Sequence, residues 1–168
     1  MVAQSRIVHF NAARLLHPPG DIRVAEFVDN TIRVNAVAER SKGYVWHLSD
    51  DAALVTNPDY AGAGGDPCLA FSMSVWETFQ DFEFFVYRTL HNSFFKRRGE
   101  WFAPWDGPNY VMWDFEGSVP LPEKLGWAKL EQLSKHGPSP EAYDLAYARA
   151  AHGLTQKPNP TTASHSAQ

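Results

Sequence analysis

A histidine inside an aromatic segment is the residue of this sequence whose type and setting best suit chemistry. His91 lies in the run Ser74 to Trp105, SVWETFQDFEFFVYRTLHNSFFKRRGEWFAPW. An imidazole titrates near neutral pH, so it can accept or donate a proton in a reaction. A neutral imidazole can equally ligate haem iron or simply bond to a backbone carbonyl. Three roles are therefore open for His91: acid–base catalyst, axial haem ligand, or structural residue.

The neighbours of His91 suggest what an active site would contain. If one helix runs through the segment, offsets of −7, −4, +4 and +7 place Phe84, Tyr87, Phe95 and Arg98 on the face of His91. On this hypothesis His91 is the acid–base residue, and Tyr87 and Arg98 stabilise an enolate-like charge. Arg98 on a solvated helix face is the simpler alternative.

Glu77 and the aromatic residues complete the candidate set. Glu77 is a possible catalytic base if burial raises its pKa, although an exposed glutamate in the first turn of a helix is more common. The chain has six Trp, six Tyr and eleven Phe residues, and such side chains either fill a core or line a ligand pocket. The predicted substrate-binding residues are Trp46, Phe71, Trp76, Phe84, Phe95, Trp101 and Trp113.

Signals for metal or nucleotide binding are weak. His9 and His47 lie on predicted strands and could converge with His91, but no HxH or HxxxH pair is present. No GxGxxG motif occurs, and GAGGD lacks the spacing and the lysine of a P-loop. The sequence predicts no metal site and no cofactor, with haem as the alternative.

Composition restricts the partners. The net charge of −4 argues against a general nucleic-acid binder, and no apolar run is long enough to cross a membrane. The single cysteine, Cys68, cannot form a disulfide within the chain, and the N-terminus lacks the apolar core of a signal peptide. We therefore expect a cytoplasmic protein without nucleic-acid or membrane partners.

The order of predicted elements indicates one α+β domain over residues 1–153. Strands are predicted at 6–16, 44–51, 68–77 and 109–117. Helices are predicted at 22–40, from the capping residue Thr78 onward with a kink near Gly99, and at 123–135. The stretch 52–67 is a predicted loop, glycine-rich at 59–66, and residues 154–168 form a predicted disordered tail.

This β-α-β-β-α-β order fits a ferredoxin-like sandwich with an extra C-terminal helix. Strands with bulky groups on both sides need both sheet faces covered, so we expect a homodimer in which the sheet faces pack together. A small-molecule site between the sheet and its helices then follows naturally.

Four stretches together resemble a known family: NAVAERSKGYVWHL, SMSVWETFQDFEFFVYRTLHNSFFKRRGEWF, GPNYVMWDFEG and LEQLSKHGPSPEAYDL. They are similar to the domain of unknown function 3291 family, placed among the dimeric α/β-barrel proteins near the antibiotic-biosynthesis monooxygenase-like group. The family typically has histidine after the glycine that follows the fourth strand, whereas this chain has Ser118 after Gly117.

The resemblance implies a dimeric α/β barrel and a menu of reactions rather than one reaction. Relatives in the wider group include cofactor-free oxygenases of aromatic polyketides, haem-binding proteins, and small isomerases or cyclases. Combined with His91, this favours an enzyme acting on a hydrophobic, aromatic or polyketide-like metabolite by acid–base cyclisation, isomerisation or cofactor-free oxygenation. A haem protein with His91 as axial ligand and a non-catalytic dimeric binding module are the alternatives.

Overall fold

A four-stranded antiparallel sheet forms the centre of the protein. The computed structural model describes residues 5–48 and 65–152. The strands are β1 (Arg6–Arg14), β2 (Tyr44–His47), β3 (Leu69–Trp76) and β4 (Tyr110–Phe115). They lie in the order β2-β3-β1-β4, with every neighbouring pair antiparallel. Because helices follow β1 and β3, this order confirms the predicted α+β, ferredoxin-like fold.

Five α-helices surround the sheet in the described residues. They are α1 (Ala25–Glu39), α2 (Phe79–Arg88), α3 (Leu90–Lys96), α4 (Glu123–His136) and α5 (Leu145–Ala151), and a 3-10 turn follows α3 at Arg98–Glu100. Thr78 caps α2 as predicted, since its hydroxyl accepts from the backbone N–H of Asp81 at 3.1 Å.

Strand alternation gives the sheet two faces, and each carries a cluster of buried apolar residues. On the first, which we call the helix-bearing face, Ile7, Trp76 and Met112 pack with α2, α5 and the C-terminal part of α1. On the second, Val8, Phe10 and their neighbours pack against α4. The predicted alternation of Tyr110, Met112 and Asp114 against Val111, Trp113 and Phe115 agrees with these two clusters.

Helix α4 packs on the second sheet face, which the sequence analysis expected a partner chain to cover. Gly126 lies so close to the sheet that a Cβ there would fall 2.2 Å from Cδ2 of Phe10. Trp127 meets the rings of Phe10 and Phe71 edge-on, with centroids 5.1 and 5.8 Å apart. The argument for a homodimer assumed an exposed sheet face, and α4 supplies part of that cover within one chain. The homodimer itself stays a prediction.

The long helix expected after Thr78 is interrupted earlier than predicted. The break falls at Thr89, which has extended backbone angles (φ −118°, ψ −171°), and not near Gly99. The Thr89 hydroxyl donates to the carbonyl of Phe85 at 2.6 Å and accepts from the backbone N–H of His91 at 3.3 Å. The Thr89 hydroxyl thus pairs with one unpaired carbonyl at the end of α2 and with one unpaired backbone N–H at the start of α3. A helix continuing past Thr89 would place Leu90, four residues after Val86, on the buried stripe, but after the break Leu90 is 36% exposed.

Two smaller predictions from the sequence are also wrong. Strict alternation along the strand at 44–51 predicts Tyr44 and His47 on opposite faces, but an irregularity in the pairing of β2 between Tyr44 and Trp46 places them on the same face. Helical spacing over 22–40 predicts Ile32 in a buried stripe, but Ile32 is 53% exposed, because that helix buries Ala38 and packs Val34 and Val37 instead.

Most of the predicted loop at 52–67 and the whole of the predicted tail at 154–168 lie outside the described residues. Within 5–48 and 65–152, none of the helices combines the length and the apolar character needed to cross a bilayer.

Candidate active site on the helix-bearing face

Four polar side chains lie together at the centre of the helix-bearing face. His9 pairs with Ser74, and Asn11 pairs with Ser72, across the two central strands β1 and β3. Directly opposite residues of antiparallel strands project to the same face of a sheet. We call these four residues the polar floor.

The helices leave this part of the sheet accessible. Ser72 is exposed although β3 lies between β1 and β2, and His9, Asn11 and Ser74 are each partly accessible. The side chains of the other face at the same strand positions, such as Phe10 and Met73, are fully buried. The polar floor is therefore the base of an open recess beside the helix layer.

Hydrogen bonds orient the floor. The hydroxyl of Ser72 donates to Oδ1 of Asn11, which turns the Asn11 amide N–H groups away from Ser72. Nε1 of Trp76 donates to Oγ of Ser74 at 3.0 Å. No further partner of the Asn11 amide is found in the described part of the chain.

His9 lies deepest in this group. Its ring packs against those of Phe82 and Tyr110, with centroid distances of 4.7 and 5.8 Å. Within the described ranges its ring nitrogens have no hydrogen-bond partner, yet neither is a fully enclosed unpaired atom. Burial, and secondarily the nearby His91 imidazole, lower the pKa of His9 to about 3. His9 is therefore uncharged at neutral pH.

His91 stands at the first turn of α3, on the helix side of the recess. Its ring lies 5.1 Å from that of Phe85 and 6.3 Å from that of Phe95. Nδ1 makes a long contact of 3.4 Å with the carbonyl of Val86. A proton on Nδ1 would donate to that carbonyl and leave the lone pair on Nε2. Burial lowers the pKa of His91, and the Val86 carbonyl partly opposes the shift, so the ring is neutral at pH 7.

The third candidate histidine is engaged elsewhere. His47 pairs with Ser74 in the sheet and so lies on the same face as His9. Its Nδ1 lies 2.6 Å from the hydroxyl of Tyr44 and 3.9 Å from a carboxylate oxygen of Glu39. Groups of three or more metal-ligating side chains are absent from the described residues.

The helix break changes which predicted residues accompany His91. Tyr87 now belongs to α2 and His91 to α3, so the offsets of one continuous helix do not apply. Phe95 still lies beside His91, and the Tyr87 ring meets Phe95 edge-on at 6.0 Å. Through Phe95, Tyr87 is connected to His91, although the two residues belong to different helices.

Arg98 and Glu77 each contact a neighbouring residue. The Arg98 guanidinium lies 4.5 Å from the Phe95 ring centroid and donates to the Phe95 carbonyl at 3.0 Å. Glu77 is not a buried base: its side chain is 46% exposed and lies 3.3 Å from Nε of Arg6. The exposed alternative for Glu77 therefore describes it better.

The predicted substrate-binding aromatics fall into separate groups. Trp76 is on the helix-bearing face and stacks on Phe85 at 5.0 Å. Phe84 is 62% exposed on α2. Trp101 packs with Phe27 and Phe94 behind α3. Phe95 lies beside His91, and the other three residues of the set, on the opposite face of the sheet with α4, are Trp46, Phe71 and Trp113.

The polar floor had a signal in the sequence. In β1 and β3, the positions that project to one face carry bulky apolar residues. The alternate positions, which project to the other face, include the polar residues His9, Asn11, Ser72 and Ser74. Polar residues at successive positions of one face of central strands indicate a face that is not packed as core. Recognising this required the pairing of β1 with β3, which brings the two polar runs side by side.

Comparison with known proteins gives one family and several distant structures. The profile of a family described as "Domain of unknown function (DUF3291)" matches residues 6–159. No functionally curated protein matches the chain significantly. SnoaB, a cofactor-independent oxygenase from Streptomyces nogalater, is 17% identical over 71% of this chain and 99% of its own, with a TM-score of 0.44.

Two further solved structures have comparable coverage. A protein of unknown function from Nitrosomonas europaea is 11% identical over 71% of this chain and 98% of its own, with a TM-score of 0.46. A dabb family protein with a ferredoxin-like fold from Mesorhizobium loti is 16% identical over 71% and 100%, with a TM-score of 0.39. At these identities the likeness concerns the fold alone.

Proposed function

We propose that this chain, which belongs to the DUF3291 family, is a small-molecule enzyme. The description of the family names no reaction, so the activity is inferred from the residues of the chain itself. The substrate is a hydrophobic, oxygen-bearing aromatic or polyketide-like metabolite. His91 removes a proton from this substrate in the recess, and the reaction requires no cofactor. The cytoplasm is the proposed location, and a homodimer is the proposed assembly.

The proposal rests on the charge and tautomer of the His91 imidazole. Its imidazole is uncharged because of burial, and the Val86 carbonyl favours the tautomer whose Nε2 lone pair is free. A general base needs such a lone pair within reach of a substrate proton. The surrounding rings of Phe85 and Phe95 suit a flat apolar substrate.

Two outcomes of the proton transfer are consistent with this site. In an isomerisation or cyclisation, the proton returns from Nε2 to another atom of the substrate anion, so no electrons leave the substrate. In an oxygenation, dioxygen is the oxidant: a CH₂ group and O₂ become a carbonyl and water. Cofactor-free catalysis of the second kind requires a substrate whose anion is electron-rich. SnoaB is described as such an oxygenase, and we extend that description to this chain only as a proposal.

Replacing His91 by glutamine tests the catalytic role. Loss of a positioned general base commonly costs about 10² to 10⁴ in rate. We expect a loss of that size in turnover of polyhydroxylated naphthalenes and anthrones, followed by absorption spectra and oxygen uptake. The matched control, His136→Gln at the exposed C-terminal end of α4, should keep wild-type activity. Equal activity of both variants, with folding verified by circular dichroism, would remove His91 from the mechanism.

The haem alternative is decided with the same proteins. A backbone carbonyl bound to Nδ1 also suits a histidine whose Nε2 ligates iron. Titration with hemin should give only the weak, nonspecific absorption that His91→Gln also gives. A shifted Soret band at one hemin per chain, absent from His91→Gln, would instead assign His91 as an axial ligand.

A further inference from the structure

Proton abstraction by His91 leaves a negative charge on the substrate, and His91 itself does not stabilise that charge. Burial lowers the pKa of His91, so the protonated ring gives up its proton more readily than a free imidazolium does, and the substrate anion must be stabilised where its charge develops. Arg98, the residue predicted for this task, is committed to the ring and carbonyl of Phe95. Arg97, the residue before Arg98, is bound by Glu26 and Glu100 at 2.7 to 2.9 Å. Both guanidinium groups are thus engaged by other side chains or carbonyls.

The polar floor offers hydrogen-bond donors at the required place. A neutral imidazole has one N–H donor, and His9 has no partner for either nitrogen among the residues the structure describes. The hydroxyl of Ser72 occupies Oδ1 of Asn11, which directs the two amide protons of Asn11 into the recess. His9 and Asn11 are two residues apart on β1, so their side chains leave the same face.

The dimensions and walls of the floor restrict the ligand. Side chains two residues apart on a strand are separated by about 7 Å, and those of directly paired residues by about 5 Å. An area of this size fits one oxygen substituent and the edge of the ring that carries it. The rings of Phe82 and Tyr110 pack against His9, so a ligand reaches the edge of the imidazole through that oxygen.

We infer that His9 and Asn11 bind the oxygen atom of the substrate that becomes negatively charged when His91 takes the proton. The class of ligand is accordingly a phenol or enol on a fused aromatic system, bound through its oxygen to the floor. His9 is a donor in this arrangement and never a base. The inference rests on the proposed function and adds to it the residues that hold the anion.

Binding of 2-naphthol and of naphthalene tests this assignment without any turnover. The two probes share their ring system, and 2-naphthol shows its ionisation in its absorption and fluorescence. Hydrogen bonds to a charged group contribute about 1.5 to 3 kcal/mol, which corresponds to about 10- to 150-fold in affinity. Wild-type protein should bind the naphtholate more tightly than naphthalene and lower the pKa of the bound naphthol.

The variants His9→Phe and Asn11→Leu should each lose about tenfold or more in naphtholate affinity and bind naphthalene as before. Phenylalanine can keep the ring packing against Phe82 and Tyr110, and Asn11→Leu gives an independent reading if His9→Phe folds poorly. His136→Gln is the control and should match wild type. Equal binding of both probes by wild type and both variants would overturn the oxygen-binding role while leaving an aromatic recess. Failure of wild type to bind either probe would overturn the inference together with the proposed site.

Discussion

Gly126→Ala is expected to destabilise the protein, although the same change stabilises most helices. Alanine is favoured over glycine inside a helix by about 1 kcal/mol. At Gly126, however, the new methyl group would lie 2.2 Å from Cδ2 of Phe10, whose ring is fully buried and held by Phe71 and Trp127. Overpacking of this kind costs about 1 to 3 kcal/mol or more, and it reverses the sign of the substitution.

Urea unfolding of Gly126→Ala and Gly99→Ala measures this effect with a matched control. Gly99 has no atoms within 4 Å of an added Cβ and lies in the 3-10 turn, so its substitution should leave the midpoint nearly unchanged. A destabilised Gly126→Ala variant beside a neutral Gly99→Ala variant would show that α4 seals the second sheet face. A stabilised Gly126→Ala variant would mean that α4 is not docked there, and the face would again need a partner.

Acidification is expected to destabilise the protein through His9 before the carboxylates contribute. In the unfolded chain a histidine takes up a proton below its ordinary pKa of about 6.5, whereas folded His9 does so only near pH 3. Between these values the unfolded state binds more protons, so the free energy of unfolding falls as the pH falls. From pH 6.5 to 4.5 the loss assigned to His9 is about 2 kcal/mol.

Comparing wild type with His9→Phe isolates this contribution. The free energy of unfolding, measured in urea at several pH values, should fall less steeply for His9→Phe over this range. His91 also has a lowered pKa and remains in both proteins, so its contribution cancels to first order. The same pH slope in both proteins would show that His9 protonates freely in the folded state, and that it is not buried against Phe82 and Tyr110.

The sequence predicted the sheet well because strand signals are local. Alternating apolar residues and firm turn residues located β1, β3 and β4, and Thr78 located the start of α2. The break at Thr89 was missed because threonine inside an aromatic helical pattern is compatible with either continuation or capping. Which occurs depends on where His91 and Phe85 pack, and that is a tertiary effect.

The site was predicted only in part for the same reason. His91, Tyr87, Phe95 and Trp76 are near the recess, since they share the α2–α3 region or the end of β3. The roles given to Arg98 and Glu77 assumed free side chains, whereas each has a nearby partner that sequence spacing does not reveal. Trp46, Phe71 and Trp113 were chosen for their type, and only the pairing of strands shows that they lie on the other face.

The imidazole NMR spectrum of protein labelled with ¹⁵N at histidine, with and without 2-naphthol, tests the central claim most directly. At pH 7 we expect both His9 and His91 to be neutral, His91 to carry its proton on Nδ1, and Nε2 of His91 to shift on ligand binding. The resonances of His136, on the exposed end of α4, should stay in place. A charged His91 at pH 7, a proton on its Nε2, or no shift at saturating 2-naphthol would contradict the assignment of this recess as the active site.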